Sequence, residues 1–252
     1  MKRFLLVLAA TLLFGSVKLP AEHALFAARS ELRLHGVPMD LSLREQIGQL
    51  GFIAALSGFR SLIADFLFIQ AHVAWERTEW SRVLLLFRQV TTLQPRGVLF
   101  WDMAAWHMGW NASVSVFNDK SQPRLALRIK AQREYWDLAR DFLERGIKNN
   151  PDQPKLYEAL GRLYREKYKD HARASESFAK TAEQPGAPSY AKRFTLYELS
   201  YCEGREQEAY ERLLQLYNAD ENERLPTLIS RLKLLEEKLN IPLAERIPDR
   251  AH

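Results

Sequence analysis

Six histidines and a single cysteine are the residues of this 252-residue chain best suited to catalysis or metal binding. Their spacing removes most of that chemistry. Asp102 and His107 come close on one predicted helix, but a separation of five residues puts them on different faces. No HExxH pair, GxSxG elbow, GxGxxG turn or phosphate-binding P-loop occurs. Cys202 has no second cysteine for a disulfide and no CxxC or Cys/His set around it, so no zinc site is expected. Asn111-Ala-Ser113 has the form of a glycosylation sequon, a triplet common by chance. A histidine without a nucleophile or an orienting acid at readable spacing is expected to be a packing or surface residue. The reading is of a chain without catalytic residues, metal or cofactor.

Charge gives the second exclusion. Lys plus Arg number 36 against 31 Asp plus Glu, a net +5, yet Lys2, Arg3 and Lys18 supply three of those five charges from an N-terminus that holds no acid. Elsewhere bases alternate with acids, as in Arg162-Leu-Tyr-Arg-Glu-Lys167. No concentrated basic face results, and no nucleic-acid partner is expected. Sparse Gly and Pro and an apolar share of 47% exclude collagen-like and disordered classes. A chain of this length buries roughly 70–75% of its unfolded surface and needs no staple.

The elements that position the remaining candidates begin with residues 1–20. Lys2-Arg3 precede an apolar run from Phe4 to Phe14, continued to Lys18-Leu19-Pro20, the pattern of an export signal that keeps its basic end cytoplasmic. As a helix, Phe4 to Leu19 spans roughly 24 Å, short of a ~30 Å hydrocarbon core unless Lys18 snorkels. Small-x-small cleavage sites are poor, which favours a retained anchor over a removed signal. Residues 21–41 read as an extended tether. Ser42-Leu-Arg-Glu45 forms a capping box that opens an N-terminal capping helix over 42–57, apolar on most sides. A second membrane span over 47–75 is the weaker alternative, because Arg60 and Asp65 interrupt it.

From residue 58 onward the pattern repeats. Glu79 to Pro95 is an amphipathic helix with Val83, Phe87 and Val90 on one stripe, preceded by a helix over about Gly58–Trp75 with Leu67 and Ala71 at core positions. Trp101, Ala104, Ala105 and Met108 open a second pair, closed by Ala139, Leu143 and Pro151 on Arg133–Asn149. Pro95 to Pro151 is 56 residues, 22 more than the 34 from Pro151 to Pro185, placing an insertion between those helices, around 111–132. A third pair carries Tyr157, Leu160, Gly161 and Tyr164, then Ala174, Phe178 and Pro185, with one extra residue in the turn. A fourth follows over Arg193–Tyr201, with Gly204 at the turn, then Ala209 and Leu213. A last helix over 226–240 sets Leu228, Leu232, Leu235 and Leu239 on one face and Glu236, Glu237 and Lys238 on the other.

This spacing resembles the tetratricopeptide repeat (TPR), a 34-residue helix–turn–helix unit, over about residues 58–217. Thr78, where the family commonly has a turn glycine, and the long insertion depart from it. The whole chain looks like exported or membrane-anchored bacterial repeat proteins. The resemblance implies an all-α solenoid of about four units, following an N-terminal signal or anchor helix, with 226–240 as C-terminal cap. Each pair has an apolar stripe that only its neighbour can cover. It also implies binding, since such proteins hold a peptide or helix in a groove lined by their first helices. Groove positions one turn from the core ones are His72, Trp75 and Glu76, then Asp102, Trp106 and Trp110, then Lys155, Glu158, Arg162 and Arg165, then Phe194 and Tyr201. Aromatics would anchor and arginines would clamp carboxylates. The competing reading packs Trp106 and Trp110 on the insertion and leaves Arg162, Arg165 and Glu166 as a solvated face.

The expected function is therefore a membrane-tethered scaffold facing the extracytoplasmic, periplasmic side and capturing a protein or peptide of the cell envelope without catalysis. A multi-span complex component and, more remotely, an extracytoplasmic hydrolase are the alternatives.

Overall fold

The computed structural model describes residues 58–248, and among these every regular element is a helix. The N-terminal segment 1–20, the tether 21–41 and the capping helix 42–57 lie outside the described residues. No helix of the described residues is long and apolar enough to cross a membrane. The chain divides into two compact units, Met1–Phe100 and Trp101–His252, each with a core of its own.

In the first unit α1 (Arg60–Glu76) and α2 (Trp80–Leu93) form a helical hairpin. Ala64, Ala71 and Ala74 are fully buried on α1, and their small side chains let α2 approach closely enough for Val83, Phe87 and Val90 to fill the seam. Phe68 lies edge-on to both Phe87, at 5.9 Å, and Phe100, at 5.3 Å. The opposite side of α1, with Leu62, Phe66 and Ile69, is exposed.

In the second unit the helices follow in close succession: α3 (Val98–Trp106, begun within the first unit), α4 (Ser113–Asn118), α5 (Leu125–Asn149), α6 (Pro154–Leu163), α7 (His171–Glu183), α8 (Tyr190–Leu199), α9 (Glu206–Ala219) and α10 (Pro226–Lys238). From α4 on, each packs against the next. A π-helical turn over His107–Ala112 joins α3 to α4 without leaving helical backbone, and a second, Tyr164–Tyr168, closes α6. Gly146 on α5 is a point of close approach, because a Cβ there would stand 2.9 Å from both Cβ and Cγ of the buried Trp101.

The expected insertion over 111–132 is mostly helical and extends the two helices that flank it. The helix opened at Val98 runs to Asn118, α5 starts at Leu125 instead of Arg133, and only 119–124 are irregular. Pro123 ends the break, and Leu125-Ala-Leu-Arg-Ile-Lys-Ala-Gln132, free of Gly and Pro, is a run of good helix formers that extends α5 backwards. Arg128 Nη1 donates to the Phe117 carbonyl at 3.1 Å, satisfying one end of α4.

Three turns share one backbone device. Thr78, Lys169 and Gly204 all adopt left-handed conformations, with φ of 57°, 56° and 77°. In each case the next residue is the N-cap and the following one starts a helix. Five residues after the left-handed position stand Val83, Ala174 and Ala209, and nine after it Phe87, Phe178 and Leu213, all in the core. The extra residue expected in the third turn is absorbed by the π turn instead, where the Asp170 amide reaches back to the Tyr164 carbonyl at 3.1 Å.

Beside Gly161, the position nearest an added Cβ belongs to the Phe178 ring, at 3.1 Å, while Tyr164 is buried in the same cluster. The fourth pair starts earlier than its spacing suggested, at Tyr190, and stops at Leu199. The last helix buries Leu228, Leu232 and Leu235 as expected and stops at Lys238, with Asn240 left-handed at φ 53° just beyond. Glu236 is a correction: it is fully buried instead of solvated, and its Oε1 accepts the Ile247 amide at 2.7 Å. Glu236 borders the leucine stripe, one turn beyond Leu232, and the chain end folds back over α10 to cover it.

Candidate functional site

The residues expected to face a groove separate into two groups, one in each unit. In the first, His72, Trp75 and Glu76 gather on the last turn of α1. The His72 and Trp75 rings lie 4.8 Å apart, and His72 Nε2 stands 4.0 Å from Glu76 Oε1. His72 and Glu76 are exposed and Trp75 partly so, an arrangement that costs little and commits none of the three to the core.

In the second unit the expected residues join a ladder of side chains running from helix to helix. Its first rung is Asp102 on α3 with Lys155 on α6, Oδ2 to Nζ 3.1 Å. Trp110, in the first π turn, donates its indole N–H to Glu166 Oε2 at 2.9 Å, and the same ring carries the Arg162 guanidinium at 5.9 Å and the Lys167 ammonium at 5.0 Å. Arg165 pairs with Glu166 at 3.1 Å and approaches the buried Glu198 of α8 at 4.0 Å. It also spans the Phe178 and Phe194 rings, at 5.6 and 5.3 Å. His171 Nδ1 lies 2.7 Å from the other Glu198 oxygen, and its ring stacks on Tyr201 at 4.5 Å. Arg231 of α10 covers the Tyr201 ring at 3.7 Å and ends on Ser200, donating to its hydroxyl at 2.7 Å and its carbonyl at 2.9 Å.

Electrostatics at the centre follow from these contacts. Burial pushes the Glu166 carboxyl up, but hydrogen bonds from Trp110 and Arg165, with the charges of Arg165 and Arg162, outweigh it and hold the group below the ordinary carboxylate range. Burial lowers the Lys167 ammonium, opposed by Glu166. Tyr190 is raised, first by burial and then by its hydrogen bond to Glu158, which ties another expected groove residue to α8.

The ladder answers part of the sequence reading. Arg165 is engaged by two carboxylates, and Lys155 by Asp102, so neither stands free. Arg162 forms no ion pair among the described residues, and its Nε is buried without a hydrogen-bond partner. Trp110 meets Arg162 of α6 and Glu166 and Lys167 of the second π turn, whereas Trp106 and Tyr201 keep exposed surface. His171, Glu198 and Arg231 were missed. No spacing rule links residues 27 apart on different helices, and the one local signal was Asp170, which caps α7 by accepting the Arg173 amide and so fixes where His171 sits.

On the far side of α6 and α8 two clefts open between successive second helices. One, of about 330 Å³, lies among α5, α6 and α7, lined by Tyr157, Tyr164, Arg173 and Lys180. The other, of about 480 Å³, lies among α7, α8 and α9, lined by Ala182, Leu196, Arg212 and Leu216. Among the described residues no cluster of three His, Cys, Asp or Glu is placed to hold a metal ion. Comparisons with protein-family models, with curated proteins and with solved structures find no match to this chain.

Proposed function

We propose that this chain is a TPR-like helical-repeat scaffold that captures a peptide or helix of a cell-envelope protein on the ladder face of its second unit, without catalysis. Residues 1–20 tether it to the membrane with the body on the extracytoplasmic side. The observation that carries the reading is a face on which aromatic and cationic groups are held in place by cross-helix contacts and yet retain accessible surface. Trp106 and Tyr201 supply apolar anchors whose ring positions cost little entropy to fix, since Tyr201 is already sandwiched between His171 and Arg231. Arg162, held over Trp110 and in no direct ion pair among the described residues, is the guanidinium offered to an acidic group of the ligand. The recurrence of left-handed turn, N-cap and buried positions at fixed offsets supports the repeat assignment.

The test is site-specific photo-crosslinking in the native envelope, with the photoreactive residue at Trp106, at Tyr201, or at Lys180 on the cleft side. The expected result is an adduct of one mass from Trp106 and Tyr201, absent from Lys180 and lost when Arg162→Glu is added. Adducts from Lys180 alone, or adducts indifferent to Arg162→Glu in a chain that remains folded, overturn the assignment of the face.

A further inference from the structure

The hairpin of α4 and α5 runs out from the core of the second unit. The two helices pack on each other, yet no residue between Ser113 and Ala139 is buried. Arg128 ties their ends by donating to the Phe117 carbonyl, and Asp119 Oδ1 sets the turn by accepting the Ser121 amide at 2.9 Å. Contacts with the second π turn hold α5 at Trp136, whose ring meets Tyr168 edge-on at 5.9 Å, and at Asp137, which accepts from the Tyr168 hydroxyl at 2.7 Å. Leu125, where the helix opens, is roughly 16 Å from Trp136 along its axis.

Two kinds of side chain crowd that free end. Leu125, Leu127 and Val114 are 51, 42 and 43% exposed. Around them stand Lys120, Arg124, Arg128, Lys130 and Arg133, against Asp119 as the one acid of residues 119–133. Bases alternate with acids along much of the chain, so this stretch is a local exception. Arg128 is partly buried and the other four bases are exposed; Lys130 shares its charge with Glu134 in an exposed pair at 3.8 Å, which a stronger anion displaces at little cost.

An apolar apex within a cationic collar fits one surface best. Nucleic acid would engage the bases and leave projecting leucines in water. A folded protein would need a hollow cut to the shape of the tip. A bilayer with anionic headgroups accepts both parts as they stand, the leucines among the upper acyl carbons and the bases at the phosphates. We infer that the α4–α5 tip is a peripheral membrane contact, which places Leu125 and Leu127 in the interface of an anionic bilayer with Lys120, Arg124 and Lys130 on its headgroups. The inference uses neither the ladder face nor residues 1–20.

The test is made in the full chain, on a Cys202→Ser background, with Leu127→Cys carrying a polarity-sensitive nitrobenzoxadiazole label. In vesicles of phosphatidylcholine with phosphatidylglycerol the emission is expected to shift to the blue and to be quenched by lipids bearing a nitroxide on a shallow acyl carbon. In phosphatidylcholine alone neither is expected, and the same label at Lys180→Cys should respond to neither vesicle. Raised salt should abolish the shift. So should Lys120→Gln, Arg124→Gln and Lys130→Gln together, in a chain of unchanged helical circular dichroism, since each base removed lowers partition about fivefold. A shift of equal size in both vesicles, a shift indifferent to salt, or an equal response from Lys180→Cys overturns the inference. A label that stays in water in both vesicles overturns it too, as does one shifted by polyglutamate or duplex DNA and not by lipid.

Discussion

Replacing Gly146 by alanine sets two opposed effects against each other at one atom. In a helix interior alanine is favoured over glycine by about 1 kcal/mol, so a site with room gains stability. Gly146 has none: the new Cβ falls 2.9 Å from Trp101 Cβ and Cγ and 3.3 Å from Leu156 Cδ1. Both neighbours are essentially fully buried, and Trp101 Cβ is fixed by the backbone, so no rotamer change can withdraw it. Overpacking of this kind costs roughly 1–3 kcal/mol, so the net expectation is a loss of up to about 2 kcal/mol, or a melting temperature lower by up to roughly 8 °C in a chain of this size. Urea titration followed by helical circular dichroism measures it. Trp101→Phe, which keeps both offending atoms, should not relieve the loss. A Gly146→Ala chain that is more stable than the parent, or one rescued by Trp101→Phe, would refute the claimed closeness of α3 and α5.

Thr78→Gly removes the left-handed strain of a β-branched residue, about 1–2 kcal/mol, against about 0.5–1 kcal/mol of extra chain entropy lost on folding. A small rise in melting temperature is expected, and a fall counts against the strain. Glu166→Gln tests the electrostatic centre of the ladder. Because the folded-state carboxyl is held below the ordinary value of a glutamate, its ionised form stabilises the fold above that ordinary value, and the benefit drains away as pH falls through the lowered one. The stability difference between parent and variant should therefore be largest near neutrality and vanish in acid, and a difference that grows on acidification contradicts the assignment. Glu236→Ala leaves the buried Ile247 amide unpaired, costing about 1–3 kcal/mol. Hydrogen exchange at Ile247 should accelerate, and unchanged protection there would show that the carboxylate does not hold the chain end.

Periodicity carried the helices and their cores because burial at Val83, Phe87, Ala174, Phe178 and Ala209 repeats with the chain itself. What it did not carry depends on phase or on distance. An extra residue before Lys169 reads equally as a longer turn or a wider helical turn, and only the carbonyl-to-amide geometry separates them. The stretch 111–132 read only as an insertion because a repeat template had no place for it, although its own helix propensity was legible from Leu125 on. Glu236 was assigned to solvent by its place on the helical wheel, which cannot register that the chain returns over that face at Ile247. The arginines show the same limit from the other direction: local spacing paired them along α6, while Glu198, 33 residues beyond Arg165, took one of them across to α8.

The ladder and the clefts lie on opposite sides of α6 and α8, and this asymmetry has a mechanical meaning. Side chains rivet one edge of the second unit from Trp110 to Arg231, whereas the other edge is interrupted by two openings whose linings hold fewer ties, among them Arg173 over the Tyr164 ring at 5.6 Å and Ser175 on the Thr195 carbonyl at 2.8 Å. Such a body bends about its riveted edge as a hinge line, with strain taken up by the clefts widening or narrowing in step. Compression on the cleft side would then alter curvature while leaving the spacing between Trp110, Glu198 and Tyr201 nearly constant.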